Sequence, residues 1–329
     1  MNSNDRLSTL DGLRAISILL VLATHMLPVG PKSLRLNETT GAMGMSLFFA
    51  LSGFLIVSQL LKNDDVTEFL VKRVTRILPL AYAYALIVFT VIQFDPASVF
   101  WTASLVENYT SHLNVYNSHF WSLCVEFQFY VSIAFVVLMA GGSRGLWIVW
   151  PACLIITAIR ISEGAYINIL THLRVDEILA GGCVAMIYHR FRFVQHRFAN
   201  WTVALAVIFW FISSSPFSGW LQYLRPYAAA MLLAAVLCHK NTLLSALLSS
   251  LPMRYLATIS YALYVIHHAT YPGWLNEGSI FERYVLKRPI SFALTFGLAH
   301  LSTFYWERPW LDAGKKWISE RRVRRLAPQ

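Results

Sequence analysis

Arg14 and His25 stand inside an otherwise apolar stretch, Leu10 to Leu27, LDGLRAISILLVLATHML. Ionisable groups in hydrocarbon are costly, so those that persist usually have a task. At about 100° per residue, the step between them turns about 20° beyond three full circles, so both side chains share one face of a helix. The same step rises about 16 Å, roughly half of a 30 Å hydrocarbon core. A guanidinium at one boundary would then place the imidazole near mid-membrane. A neutral imidazole there suits general-base work on a hydroxyl, and a boundary arginine suits an anionic cosubstrate bearing phosphates. Each residue also has a plainer reading. Arg14 can anchor a first helix at the cytoplasmic face, and His25 can be a core histidine satisfied by a neighbouring helix. The shared stripe favours chemistry.

Further groups recur at helical spacing. His119 and Glu126 in HFWSLCVEFQFY lie about 20° short of two full turns apart, on one face. A carboxylate inside a span needs a partner, so Glu126 either orients an imidazole or makes a structural interhelical hydrogen bond in its protonated form. Arg73 and Arg76 share a face at the start of a third helix, where membrane anchoring and phosphate binding are equally good readings. Arg174 and Asp176 precede an apolar run and read as a surface ion pair, with an acceptor contact as the alternative. Tyr264, His267 and His268 in SYALYVIHH fall at i, i+3 and i+4 and line a cavity or bond between helices. Ser52 and Gly53 read as small residues that let helices approach. No metal is expected, because no carboxylate or thiol completes a ligand set at a recognisable spacing.

These residues need a membrane bundle to hold them. The 329-residue chain is 57% hydrophobic and only 13% charged, and its mean hydropathy of +0.52 lies outside the soluble globular range. The expected fold is all-α and polytopic. Ten spans are read, near residues 10–27, 42–61, 77–94, 120–141, 146–159, 174–188, 201–214, 226–237, 256–275 and 289–306. Lys62 to Arg76 is read as a charged connection, 95–118 as a polar loop, and Asn241 to Met253 as an interfacial segment. The net charge of +10 raises the possibility of nucleic acid, but the distribution of cations answers it. With the N-terminus inside, 19 of the 27 Lys and Arg residues fall on the inner face, Lys240 and the basic HRFRFVQHR connection included. Both termini are therefore expected in the cytoplasm, with a basic tail over about 307–329 and one membrane domain over 1–329. The first span has no small-residue cleavage site and reads as a retained helix. Cys124, Cys153, Cys183 and Cys238 are dispersed singly and indicate neither a disulfide framework nor a metal site.

Seven blocks in order resemble acyltransferase family 3, membrane enzymes that O-acylate cell-surface carbohydrates. They are LDGLRAISILLVLATH with its Arg-x10-His spacing, FFALSGFLI, RVTRILPLAY, FWSLCVEFQFY, LRVDEILAGG, SYALYVIHH and the closing WERPW with Glu307 and Arg308. The chain resembles the short form, without an extracytoplasmic SGNH-type domain. The resemblance implies an O-acetyltransferase of a bacterial inner membrane, surrounded by membrane lipid. Its donor would be cytoplasmic acetyl-CoA, its acceptor a carbohydrate or glycolipid, and no metal or nucleic acid would be involved. It implies donor phosphates near Arg14, Arg73 and Arg76, with His25 as base and Glu126 supporting the imidazolium, or else an acyl-enzyme formed first. His119, Arg174, Asp176, Tyr264 and His267 remain acceptor or structural candidates. Transfer of a larger acyl group such as succinyl, or non-enzymatic transport of a glycolipid or anion, are the alternative functions. The absence of an inverted internal repeat speaks against transport.

Overall fold

The computed structural model describes residues 3–191, 200–238 and 242–326. Among the described residues there is no β-strand. The α-helices are α1 (Ser3–Met26), α2 (Leu36–Lys62), α3 (Val66–Ile87), α4 (Pro96–Ser104), α5 (Phe120–Met139), α6 (Val149–Ser162), α7 (Asp176–Phe191), α8 (Asn200–Ser214), α9 (Arg225–Cys238), α10 (Thr242–Leu248), α11 (Leu251–Thr270), α12 (Arg288–Leu301) and α13 (Arg308–Leu326). Among the described residues, six helical stretches are long and apolar enough to cross a membrane: Thr9–Met26, Leu36–Lys62, Val66–Ile92, Phe120–Met139, Ser143–Ser162 and Gly219–Cys238. The remaining expected spans coincide with α7, α8, α11 and α12. The protein is an all-α polytopic membrane protein. Most of the HRFRFVQHR connection, from Arg192, and Lys240 lie outside the described residues.

The chain forms two compact units, Met1–Leu61 with Leu146–Tyr264, and Lys62–Gly145 with Val265–Gln329. In the first unit, the Ser17 hydroxyl donates to the Gly44 carbonyl at 2.9 Å and ties α1 to α2. α2 meets α7 backbone to backbone. A Cβ on Gly53 would run into the Ile178 carbonyl, and one on Gly181 into that of Ala50, so no side chain fits at either position. The Trp210 indole of α8 donates to Ser46 of α2 at 2.9 Å. α10 packs on α1, with Leu248 against Gly12. The expected interfacial segment is thus divided between α10 and the first turn of α11.

In the second unit, two expectations change. Lys62 to Arg76 is a loop for only three residues, because α3 starts at Val66 under an Asp65 cap that accepts from the Glu68 amide at 3.0 Å. Arg73 and Arg76 consequently stand two to three turns inside a helix. The polar loop over 95–118 also contains α4, which Asp95 caps by accepting from the Ser98 amide at 3.2 Å, with Pro96 in the first turn. α3 itself widens into a π-turn over Val88–Ile92. After α12, a π-turn at Ser302–Glu307 leads directly into α13. The basic tail is therefore a helix, and it docks on the start of α3. Arg321 reaches Asp65 at 2.8 Å, Arg325 the same carboxylate at 2.5 Å, and Arg322 grips Glu68 with two bonds at 2.6 and 2.5 Å.

Candidate active site

Within the first unit, Arg14 lines a narrow cleft with Ser17, Val21, Phe48, Ser260 and Tyr264. Asp11 lies 3.7 Å from the guanidinium, one turn back. Tyr264 stacks on Phe48 at 6.2 Å with the rings 7° from parallel. The structure thus brings Tyr264 beside Arg14, a neighbour that sequence spacing does not reveal.

His25 stands in the last turn of α1, not half-way along its span, since that span runs from Thr9 to Met26. The expectation of mid-depth assumed that Arg14 marks a helix end, whereas α1 begins well before it. This last turn is clasped from the start of α2. The Asn37 side-chain amide donates to the carbonyls of Thr24 at 2.8 Å and Leu27 at 2.7 Å, two groups that a helix end leaves without intrahelical partners. The Asn37 side-chain oxygen accepts from the Val29 amide at 3.1 Å, and Thr24 bonds Thr40 at 2.9 Å. Asn37, Thr24 and Thr40 therefore hold the backbone that presents His25. Only their polarity at a helix boundary would have pointed to them in the sequence.

In the second unit, Arg73 projects from α3 across aromatic faces, 5.5 Å from the Phe69 ring centre and 5.4 Å from that of Tyr130. Tyr130 hydrogen-bonds to Glu126, one turn earlier on α5, and both Arg73 and Arg76 act on it electrostatically. Glu126 is buried. Glu307, from the closing block, accepts from Ser302 and Thr303 at 3.2 Å each, within the field of Arg76. Carboxylate, phenol and guanidinium groups thus interleave at helical spacing.

The same unit gathers His119, His267 and His268. The His119 ring stacks on His268 at 4.1 Å and meets His267 edge-on at 5.1 Å and Tyr84 edge-on at 5.6 Å. His119 Nε2 lies 3.0 Å from the Val265 carbonyl and His268 Nδ1 2.7 Å from the Val115 carbonyl. Carbonyls only accept, so the proton sits on Nε2 of His119 and on Nδ1 of His268. His268 Nε2 is then the acceptor for the Tyr271 hydroxyl at 3.3 Å. The resolved partner of Glu126 is Tyr130, and that of His119 is this histidine group.

Arg174 and Asp176, expected as one surface pair, are buried and have different partners. Arg160 holds Asp176 at 2.5 Å, while Glu177 lies 3.4 Å from Arg174 and 2.8 Å from Arg225, all at 0–2% side-chain exposure. Thr157 adds a bond to Asp176 at 3.1 Å. Helix geometry accounts for the change. Arg174 precedes α7 and points to the same side as Glu177, three residues on, whereas Asp176 faces α6. Arg160, Glu177 and Arg225 are the members that sequence reading missed, because contacts between distant helices leave no local pattern. Such a desolvated cluster is a structural device first.

Of the candidates, Arg14, His25, Tyr264, Arg174 and Asp176 belong to the first unit, and Arg73, Arg76, His119, Glu126 and His267 to the second.

Comparison with known proteins gives this chemistry a context. YrhL of Bacillus subtilis, named as a proposed peptidoglycan O-acetyltransferase, is 27% identical over 95% of this chain and 56% of its own length. The peptidoglycan O-acetyltransferase OatA of Listeria monocytogenes is 24% identical over 92% of this chain and 55% of its own. A proposed O-acetyltransferase of Staphylococcus aureus is 24% identical over 95% and 58%. The chain thus spans little more than half the length of these curated relatives. No solved structure matches it. The family model described as an acyltransferase domain matches residues 7–304, a stretch that runs from before Arg14 to beyond His267 and ends just short of Glu307. With nearly its whole length so matched, the chain belongs to acyltransferase family 3.

Proposed function

We propose that this protein is a membrane O-acetyltransferase that moves an acetyl group from acetyl-CoA to a hydroxyl of a surface carbohydrate. The observation that carries this reading is His25, an imidazole in the last turn of a membrane helix whose end is capped by Asn37, in a chain of this family. His25 takes the proton of the acceptor hydroxyl, and the oxygen attacks the thioester carbonyl. The C–S bond breaks, the thiolate of CoA leaves, and the imidazolium returns the proton to it. Arg14, Arg73 and Arg76 are the cations assigned to the donor's phosphates. Glu126, through Tyr130, keeps the arginines of α3 in place.

The relatives named for peptidoglycan make that polymer the first acceptor to try, and the inner membrane of a bacterium the setting. The test uses purified full-length protein in lipid nanodiscs, with acetyl-labelled acetyl-CoA and peptidoglycan fragments. Label should appear as an alkali-labile ester on sugar. Substrate movement across vesicles without any ester would overturn the proposal in favour of transport.

A further inference from the structure

The second unit contains an apolar groove of about 780 Å³, within the range of specific ligand sites. Its walls come from α3 with its π-turn, from the end of α11 after Tyr264, and from α12 with the π-turn that follows. Along α3 the lining runs from Leu80 to Ile92, a rise of about 18 Å, against about 15 Å for one leaflet's share of a 30 Å core. Trp306 closes one end, where its indole donates to the Pro79 carbonyl at 3.2 Å. Trp274 stands at the other.

Polar side chains in the wall turn their bonding atoms into the protein. The Tyr84 hydroxyl donates to the Tyr116 carbonyl at 2.6 Å, and the Trp274 indole to the Thr270 carbonyl at 2.9 Å. Thr270 donates to the His267 carbonyl at 2.9 Å, and Ser302 to Glu307 at 3.2 Å. What remains towards the groove is almost wholly hydrocarbon, with the Tyr305 phenol as a further lining group, and at this depth the surrounding medium is also hydrocarbon.

The end marked by Trp274 is different in kind. Lys287 donates to the Trp274 carbonyl at 3.0 Å, and the Arg288 guanidinium lies 4.2 Å over the Tyr284 ring while bonding the Arg283 carbonyl at 3.0 Å. Arg283 Nε is enclosed without a hydrogen-bond partner. Glu277 and Glu282 share this segment, and Glu282 is engaged by the Ser279 amide at 2.6 Å. One positive charge remains in excess. The distribution of Lys and Arg along the chain places this end at the outer face, where cations are otherwise sparse.

We propose that the groove is a binding site for an anionic phospholipid of the outer leaflet. One acyl chain would lie along α3 and α12, and the phosphate would meet Arg283, Lys287 and Arg288. Because Tyr84 is wall to the groove on one side and edge-on partner of His119 on the other, a resident lipid would also brace the histidine group.

Native mass spectrometry of the detergent-purified full chain tests this, with phosphatidylglycerol, phosphatidylcholine of the same acyl chains, and polyprenyl phosphate as probes. Phosphatidylglycerol should be retained on the order of 10-fold better than phosphatidylcholine. The double variant Lys287→Gln/Arg288→Gln should lose that preference, and Leu298→Trp should lose both lipids. Should Leu298→Trp fail to elute as a single species, Ala83→Phe fills the same groove from α3. Equal retention of the two phospholipids, retention unchanged by the filled groove, or displacement of phosphatidylglycerol by polyprenyl phosphate would each overturn the proposal. The readout needs no acetyl donor, so it stands apart from the proposed transfer reaction.

Discussion

The Asn37 side-chain amide donates to the Thr24 carbonyl at 2.8 Å, so the first residues of α2 cap the last turn of α1, the turn that carries His25. A cap of this kind satisfies carbonyls that would otherwise seek water or leave the turn to fray. Asn37→Ala removes bonds to the Ala23, Thr24 and Leu27 carbonyls and to the Val29 amide. The expected loss is about 1–3 kcal/mol of local stability, read as faster amide exchange in 24–29. Acetyl transfer should fall through kcat, with the KM for acetyl-CoA nearly unchanged, and Asn37→Gln should restore part of it. Unchanged exchange in the Ala variant would reject the clasp.

The buried charges around α7 give a second expectation. Arg160 and Asp176 pair at 2.5 Å with neither side chain exposed. Removing one partner leaves an uncompensated charge in a dry site, which typically costs 3–5 kcal/mol, whereas replacing both with apolar groups is often near neutral. Asp176→Leu alone should lower the unfolding temperature markedly, and Arg160→Met/Asp176→Leu should recover most of the loss. Failure of the double variant to recover would mean that the pair does more than neutralise itself.

The α13 latch has its own pH signature. Burial alone would raise the Asp65 carboxyl, but the Glu68 amide and the guanidinium groups of Arg321 and Arg325 together hold it down to about 2. An acid with a depressed folded pKa contributes stability that is complete above its unfolded pKa, about 3.9, and is lost as pH falls through the folded one. Docking of α13 should therefore persist at neutral pH and weaken between about pH 4 and 2. Amide exchange of α13 across that window is the measurement, and Asp65→Asn should show the weakened docking already at pH 7, with the Arg322–Glu68 pair still in place.

Glu107 behaves in the opposite sense. It is buried in the connection between α4 and α5, where burial raises its pKa to about 8 despite hydrogen bonds from Thr102 at 3.1 Å and from Asn117. The folded protein then holds this proton after the unfolded chain has released it. Stability should decline as pH rises from about 4.3 to about 8 and level off beyond. Glu107→Gln should flatten that slope, and a slope unchanged in the variant would remove Glu107 as its cause.

The sequence disclosed helices and chemistry better than partners. The apolar runs announced the spans, and Gly53 announced a close approach, but nothing local said that the Ile178 carbonyl would fill the space. α4 was legible in hindsight, because Asp95 followed by Pro96 is a helix-start signal that the polarity of the loop obscured. The polarity at the head of an apolar run marks Arg174 and Asp176 in the sequence but not their partners, Glu177 and Arg160, which are selected by which helix face each side chain occupies. Register with Arg14 points to His25, but register measures spacing along a helix without locating its ends, and the end of α1 falls one residue after His25.

His25 gives the sharpest test of the proposed reaction. Two readings predict different outcomes at this position. As a base, the imidazole must accept a proton, and general-base catalysis by a positioned side chain typically contributes on the order of 10² to 10⁴ in rate. As a structural histidine at a capped helix end, it need only donate or accept a hydrogen bond. His25→Gln keeps the hydrogen bonding and removes the proton acceptor, so the two readings separate in a single variant. Under base catalysis, transfer of label to carbohydrate should fall on the order of 10²-fold or more in His25→Gln and equally in His25→Ala, with acetyl-CoA affinity retained in both. The Asn37 clasp holds backbone carbonyls and not the imidazole, so both variants should keep the α1 cap and its slow exchange. Near-normal transfer by the Gln variant beside an inactive Ala variant would assign His25 a structural role and move the search for the base to His119 and His267 of the second unit.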